Sequence, residues 1–352
     1  MPHYVVLGIE TSCDETAAAV VRHADGRGEI LASVTAAQIA EHAPYGGVVP
    51  EIAARAHVER INSVIAEAMA QAGVDFNDID GFAATAGPGL IGGVLVGLAT
   101  AKALALARQK PLLAVNHLEG HALTARLTDG VDFPYLALLI SGGHTQLIQV
   151  EELGCYRIIG TTLDDAAGEV FDKVAKFFRL DFPGGPALER LAAGGNGNRF
   201  DLPRPMLGKP GADFSFSGLK TATIRLANRL LQEQEGEVLD ASTASDLAAS
   251  FQCAVIDCLA GRVAVAMEML APKGYNRFVL GGGVGANASV RERLDSVAQE
   301  WGFRLVAPPP SLCVDNGAMI AWAGAERLVR GWRDALDAPA RARWSLEQGA
   351  TA

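Results

Sequence analysis

Two histidines four residues apart, in Asn116-His117-Leu118-Glu119-Gly120-His121, are the residues of this sequence best spaced for chemistry. On a helix, positions i and i+4 lie one above the other on one face. Two imidazoles there can grip one divalent cation. A zinc-protease helix reads His-Glu-x-x-His, with its general-base Glu directly after the first ligand. Here Glu119 lies two residues past His117, about 200° around the helix, and points away from such a site. Spacing alone leaves a metal pair and two ordinary, partly buried histidines on equal terms. A third ligand is available in Cys313-Val314-Asp315-Asn316-Gly317-Ala318. Asp315 also precedes an apolar helix over 318–328, where an N-cap Asp is common, and spacing does not displace that reading. Two histidines and a carboxylate would leave coordination positions open for a substrate.

Glycine turns are the second chemical signal. Backbone N–H groups at a helix N-terminus hold phosphate. Gly281 to Asn287 sits between a strand and a helix, as a nucleotide loop should, but lacks the full G-x-G-x-x-G pattern. Three more turns, Gly87 to Gly93, Gly142-Gly143 and Gly184-Gly185, fall at strand or helix ends. Singly each is weak; together they favour a nucleotide-shaped ligand. Phe214-Ser215-Phe216-Ser217-Gly218-Leu219-Lys220 could stack a base on Phe and set Lys220 near a phosphate. Core packing of both phenylalanines explains the same residues equally well.

The elements that must position these groups are strands alternating with helices, an α/β pattern. Tyr4 to Glu10 reads as a strand, Thr11 to Thr16 as a polar turn, and Ala17 to Val21 as the return strand. The design recurs about 130 residues later, as Tyr135 to Ile140, Ser141 to Thr145 and Gln146 to Val150. Two such hairpins suggest two related lobes. Helical spacing covers 51–72, 94–108 and 247–271, with strands at 81–85, 112–115 and 277–280. The Gly- and Pro-dense region 183–218 reads as an irregular insertion.

The chain has 352 residues, 49% hydrophobic, with no uncharged apolar run of 18 residues, so no ordinary membrane span is expected. Its start shows no signal-peptide pattern. Five scattered cysteines form no Cys-x-x-Cys pair, which reads as a reduced, cytoplasmic protein. The net charge of -10 argues against a nucleic-acid partner. Residues 172–232, however, carry +5 and the remainder -15. On charge alone, a solvated face is the simpler reading of that stretch.

Thr11 to Thr16, His117 to His121, Ser141 to Thr145, Phe171-Asp172-Lys173, Pro183 to Pro186, Phe214 to Lys220, Gly281 to Asn287 and Asp315-Asn316-Gly317 match, in order, the motifs of a known family. From about residue 3 to 330, the sequence closely resembles the TsaD family of tRNA adenosine threonylcarbamoyltransferases, formerly labelled O-sialoglycoprotein endopeptidases. The resemblance implies a two-lobed ASKHA fold, like actin and sugar kinases, with the repeated hairpins around a central cleft. Its lobes would span 1–132 and 133–325, with the insertion near 183–218, followed by a C-terminal helix and tail over 326–352. It implies transfer of a threonylcarbamoyl group from threonylcarbamoyl-AMP to the N6 amine of the adenosine 3′ of the anticodon, in tRNAs reading codons that begin with A. By the family's pattern, His117, His121 and Asp315 bind one metal in the cleft, iron in the first instance and zinc as the alternative. Leu139, Ile140, Ser141, Gly142, Gly143, Asp172, Gly185 and Asn287 fall at its substrate-contacting positions. Position in the first turn suggests Asp14 or Glu15 for the proton of the amine. Partners of the TsaB and TsaE kind are implied, and the basic stretch becomes the expected tRNA-facing surface. A metalloprotease, an ASKHA kinase or nucleotide-binding scaffold, and a non-catalytic regulatory subunit are the competing readings. The misplaced Glu119, the lack of a sugar-reading motif and the intact metal triad count against them in turn.

Overall fold

Val5 to Ile9 is an almost unbroken apolar run, a pattern that demands cover on both faces of a sheet. It forms the middle of β1 (Tyr4–Glu10), the central strand of a five-stranded sheet. The structure is a computed structural model that describes residues 3–181, 183–235 and 237–348. Met1, Pro2 and the last four residues of the tail lie outside the described residues.

In chain order the first part contributes β1, β2 (Glu15–Ala24), β3 (Arg27–Ala37), α1 (Ile39–His42), α2 (Pro50–Ala72), β4 (Gly81–Gly87), α3 (Ile91–Arg108), β5 (Leu112–Asn116) and α4 (His117–Asp129). The middle adds β6 (Tyr135–Ile140), β7 (Thr145–Glu152), β8 (Cys155–Thr161), α5 (Ala167–Phe177), α6 (Gly184–Ala192), α7 (Ser217–Glu233), α8 (Ala241–Leu270), β9 (Arg277–Gly281), α9 (Ala288–Glu300) and β10 (Arg304–Val306). Short α10 (Pro310–Cys313) and α11 (Gly317–Val329) follow.

The duplicated plan expected from the hairpins is present. One sheet runs β3-β2-β1-β4-β5 and the other β8-β7-β6-β9-β10. In the first, β1 pairs antiparallel with β2 and parallel with β4, and β4 is parallel to β5. In the second, β6 is parallel to β9, and β9 to β10. The edge strand β3 was not anticipated. Its exposure alternates residue by residue, so it carries no long apolar run to read.

The chain divides into two units: residues 1–133, 150–157 and 308–352 form the first, and 134–149 with 158–307 the second. These boundaries differ from the lobes read off the sequence. Residues 308–325, expected in the second lobe, belong to the first, because α11 lies directly on β1, β2 and β4. The approach is close: a Cβ on Gly8 would lie 2.2 Å from the Ala321 nitrogen, and one on Gly317 would lie 2.5 Å from the Ala19 nitrogen. Trp322 of α11 is fully buried there. The tail continues over the same unit. The Asp334 N–H donates to the Leu112 carbonyl at 2.9 Å, the Arg341 N–H to the Ala86 carbonyl at 2.8 Å, and Asn116 Nδ2 to the Trp344 carbonyl at 3.3 Å.

By length and composition α3 could cross a membrane, but it packs against β4 and α2. It leaves Ile91, Leu95 and Leu106 exposed.

Candidate metal centre and substrate-binding groups

Asn116 ends β5 and caps α4, its side chain accepting from the Leu118 N–H at 2.9 Å. His117 and His121 therefore stand on the first turns of a helix that starts at a strand end. Both are buried, and their rings meet edge to face with centroids 4.8 Å apart. Asp315, from the loop between α10 and α11, completes the group. Its Oδ1 lies 3.0 Å from His121 Nε2 and 3.6 Å from His117 Nε2. One ligand atom from each of the three residues falls within 4.8 Å of the others. Ligands about 2.1 Å from one cation lie about 3.0–3.4 Å apart, and the two Asp315 contacts come close to that range. His121 Nδ1, the ring nitrogen away from Asp315, is buried with no hydrogen-bond partner among the described residues. Two imidazoles and one carboxylate are the donor set of a non-haem ferrous site, and zinc accepts the same atoms.

The capping alternative for Asp315 falls away. Asn316, not Asp315, caps α11, accepting from the Met319 N–H at 2.9 Å. All three candidate ligands come from the first unit; the sequence reading had placed Asp315 in the second lobe.

Two residues given no individual role in the sequence reading stand behind His117. Its Nδ1 lies 3.0 Å from Glu10 Oε2 and 3.1 Å from Ser12 Oγ. The Thr85 hydroxyl donates to the same Glu10 oxygen, and the Ser12 N–H donates to Glu10 Oε1. A carboxylate behind a ligand imidazole fixes its ring and aims the other nitrogen at the metal. Burial pushes the Glu10 carboxyl up, but the adjacent His117 and its hydrogen bond hold it below its ordinary 4.5. Burial would lower His117, yet the Asp315 and Glu10 carboxylates carry it to about 9. Such an imidazole keeps its proton at neutral pH until a cation displaces it.

The turn between β1 and β2 carries Asp14, and Glu15 opens β2. Burial, then the charges of Asp315 and Asp14, raise Glu15 to about 9. Burial also drives the Cys13 thiol well up, which removes it as a nucleophile. All five cysteines are free.

Glu119 turns away, as the helical angle required. It accepts from Tyr156 Oη at 2.8 Å and pairs with the buried Arg327 guanidinium. A metalloprotease on this helix has no general base there.

The second unit gathers the expected substrate-contacting residues into one connected shell. Leu139 and Ile140 end β6 with their side chains in the core, so only their backbone can meet a ligand. Ser141 to His144 closes as a turn, the Ser141 N–H donating to the His144 carbonyl at 2.8 Å. Gly142 and Gly143 are exposed, with open space at both Cβ positions. The Gly168 N–H at the start of α5 donates to the Ser141 carbonyl at 3.3 Å. One turn on, Asp172 Oδ1 accepts from the Gly184 N–H at 3.0 Å, which seats the start of α6 and Gly185. Glu189 of α6 accepts from the Ala288 N–H at 3.1 Å. Beside it Asn287 caps α9 through the Val290 N–H at 3.0 Å and bonds Gln252 at 3.3 Å. Gly282, at φ +86°, brings the β9–α9 turn against the Ile140 carbonyl.

Comparison with known proteins decides the family. Residues 29–322 match the TsaD profile, tRNA N6-adenosine threonylcarbamoyltransferase. Proteins with that name are 58% identical over 99% of this chain and 98% of their own length in Methylocapsa acidiphila, and 59% identical over 99% of both chains in Methylorubrum extorquens. The chain belongs to the TsaD family. A crystal structure of T. kodakarensis HypF, 13% identical, superposes with a TM-score of 0.57 over 94% of this chain and 48% of that one. The fold is of the ASKHA kind.

Within this TsaD-family chain, burial chooses between the two readings left open for Phe214 and Phe216. Phe214 and Phe216 are buried and stacked on each other, so neither offers a face to a base. Lys220 pairs with Asp165. The basic stretch is also less basic than its sequence count. Lys173, Arg199 and Arg204 pair with Asp165, Asp246 and Asp257, acids outside residues 172–232. Lys176, Arg179, Arg190, Lys209 and Arg225 are exposed, and no ion pair is found for them among the described residues.

Proposed function

We propose that this chain transfers a threonylcarbamoyl group from threonylcarbamoyl-AMP to the N6 amine of the adenosine 3′ of the anticodon, in tRNAs reading codons that begin with A. Membership of the TsaD family carries the reading. The buried His117 and His121 with the half-buried Asp315, and Glu10 behind His117, support a metal-dependent reaction. Iron(II) suits the donor set best, with zinc as the alternative. Bound there, the cation would polarise the threonylcarbamoyl oxygens as a Lewis acid.

The chain's own groups take the remaining roles. Glu10 holds the His117 ring by its Nδ1, so that Nε2 serves as ligand. The open amides of Gly142 and Gly143, the α6 start at Gly185 and the Asn287 cap are suited to an adenylate's phosphate and ribose. As the amine nitrogen attacks the carbamoyl carbon, the bond to the phosphate oxygen breaks and AMP leaves with the electron pair. The amine proton needs an acceptor. Asp14 and Glu15, beside the end of β1, are the two carboxyls we assign to it.

The five exposed cations of the second unit, for which no ion pair is found among the described residues, form the tRNA-facing surface in this reading. Reversing their charges weakens tRNA binding and flattens its salt dependence; an unchanged slope contradicts the assignment. Partners of the TsaB and TsaE kind complete the reaction, and the exposed Val58, Ile91, Leu95 and Leu106 of α2 and α3 offer apolar surface for one of them. The test is reconstitution with such partners, ATP, threonine, bicarbonate and unmodified tRNA, followed by digestion and mass analysis of the nucleosides. Absence of the modified adenosine, with partners active toward another family member, overturns the reading.

A further inference from the structure

A buried run of polar groups lies under the acidic turn and supplies no metal ligand. Thr16, Gln38, His42 and His57 all have zero exposure. Elimination fixes the direction of every hydrogen bond among them. The Cys13 carbonyl can only accept, so His57 Nε2, 3.0 Å away, carries the ring proton. His57 Nδ1 then accepts, from the Thr16 hydroxyl at 2.8 Å and from Gln38 Nε2 at 3.3 Å. Gln38 Nε2 also faces the Ala53 carbonyl at 3.4 Å, which sets the amide and turns its oxygen toward His42. His42 Nε2 donates to that oxygen at 3.1 Å, and His42 Nδ1 accepts from the Val49 N–H at 3.3 Å. The donors all point one way, from Val49 through His42, Gln38 and His57 to Cys13. Burial holds His57 below its ordinary 6.5, in keeping with a neutral ring.

Gln38 adds a second tie, its N–H donating to the Asp14 carbonyl at 3.1 Å. Consecutive carbonyls, of Cys13 and Asp14, are thus held by His57 and Gln38. From the other side the Leu90 N–H donates to the Ser12 carbonyl at 2.7 Å. These bonds are all to backbone, so they fix the turn and leave the Asp14 and Glu15 carboxyls outside the clamp. Fully satisfied buried networks of this kind rigidify what they hold.

We propose that His57 is a positioning residue: with Gln38 and His42 it forms a directed hydrogen-bond chain that sets the Cys13–Glu15 turn, and with it the two carboxyls beside the metal ligands. The proposal rests on the reading that this turn serves threonylcarbamoyl transfer. His57 acts through the turn's backbone, so its loss displaces the acids without removing a ligand.

The test compares wild type, His57→Gln and His57→Phe in the reconstituted transfer, with metal content and Tm read on the same samples. Gln keeps an N–H near the Nε2 position, whereas Phe keeps the ring volume and loses both nitrogens. In His57→Phe, kcat falls roughly ten- to hundredfold while one metal is retained. KM stays within about twofold. His57→Gln recovers most of the rate. If His57→Phe does not fold, Gln38→Met, which breaks the chain one link earlier, lowers kcat in the same way with metal retained. Three results overturn the proposal: full kcat in the variant tested, loss of metal in step with rate, or His57→Gln as slow as His57→Phe at equal Tm. A wild type that transfers nothing overturns the functional reading and this proposal with it, whereas active wild type with unaffected variants overturns the proposal alone.

Discussion

Glu10 Oε2 lies 3.0 Å from His117 Nδ1, across 107 residues of sequence. In the proposed metal site, the contact would hold the buried imidazole with its other nitrogen toward the cation. Replacing Glu10 by Gln keeps the size and removes the charge. It weakens metal binding roughly ten- to hundredfold, as loss of such a supporting carboxylate does elsewhere. Metal titration of the two proteins measures this; equal affinities contradict the role given to Glu10.

The pH dependence of the metal-free protein follows from the raised groups. His117 and Glu15 both sit at about 9, above their ordinary 6.5 and 4.5. Each contributes stability that is present in full below its ordinary value and is lost as pH rises through about 9. Glu10 has the opposite sign: its contribution is present above 4.5 and disappears in acid. The urea midpoint of the metal-free protein therefore falls between pH 6.5 and 9. A flat or rising midpoint contradicts the charge arrangement. Cation binding must displace the His117 proton, so affinity rises with pH over the same window and binding releases a proton to the buffer.

Gly93 lets α3 lie against the acidic turn. A Cβ there would sit 2.3 Å from the Thr11 carbonyl oxygen and 3.0 Å from His57 Nε2. Gly93→Ala must push the turn away, at a cost of about 1–3 kcal/mol in stability, and it lowers the transfer rate as well. Chemical denaturation and the transfer assay on one preparation check both.

Glu119 is expected to matter for folding and not for chemistry. Glu119→Gln leaves the buried Arg327 guanidinium with only the more distant Asp334 carboxylate, 3.9 Å away, and costs about 1–3 kcal/mol in stability. At a temperature where the variant stays folded, its transfer rate matches wild type. A metalloprotease would instead lose its activity with this residue.

The tail braces the metal helix from outside. Arg341, Ala342 and Trp344 bond Ala86, Gly89 and Asn116, and Asn116 is the cap of the helix that begins at His117. Removing residues 340–352 lowers Tm and weakens metal binding roughly tenfold. Unchanged metal affinity would confine the tail to a role in stability.

Much of this arrangement was legible along the chain. The runs Tyr4 to Glu10 and Tyr135 to Ile140 are apolar enough that strands were the only economical reading, and their repetition anticipated the two sheets. Helical spacing singled out His117 and His121 but left a metal pair and two ordinary histidines on equal terms, and Glu119 excluded itself as a base by the same angle. What stayed hidden is what only folding brings together. Glu10 and Ser12 reach His117 across more than a hundred residues, and the one hint was a lone carboxylate ending an otherwise apolar strand. Asp315 looked like a cap until Asn316 took that role. Phe214 and Phe216 offered the same two aromatic residues to a base or to a core, and burial decided for the core. The basic stretch lost charge to acids that sequence counting could not assign to it.

The central claim is that the metal held by His117, His121 and Asp315 serves threonylcarbamoyl transfer to tRNA. Asp315→Asn tests it most directly, assayed beside wild type with active partners, ATP, threonine, bicarbonate, tRNA and added iron(II). Wild type should form the modified adenosine, and the variant should lose metal and at least about a hundredfold in rate. A variant that modifies tRNA as fast as wild type, with its metal gone, would contradict the account.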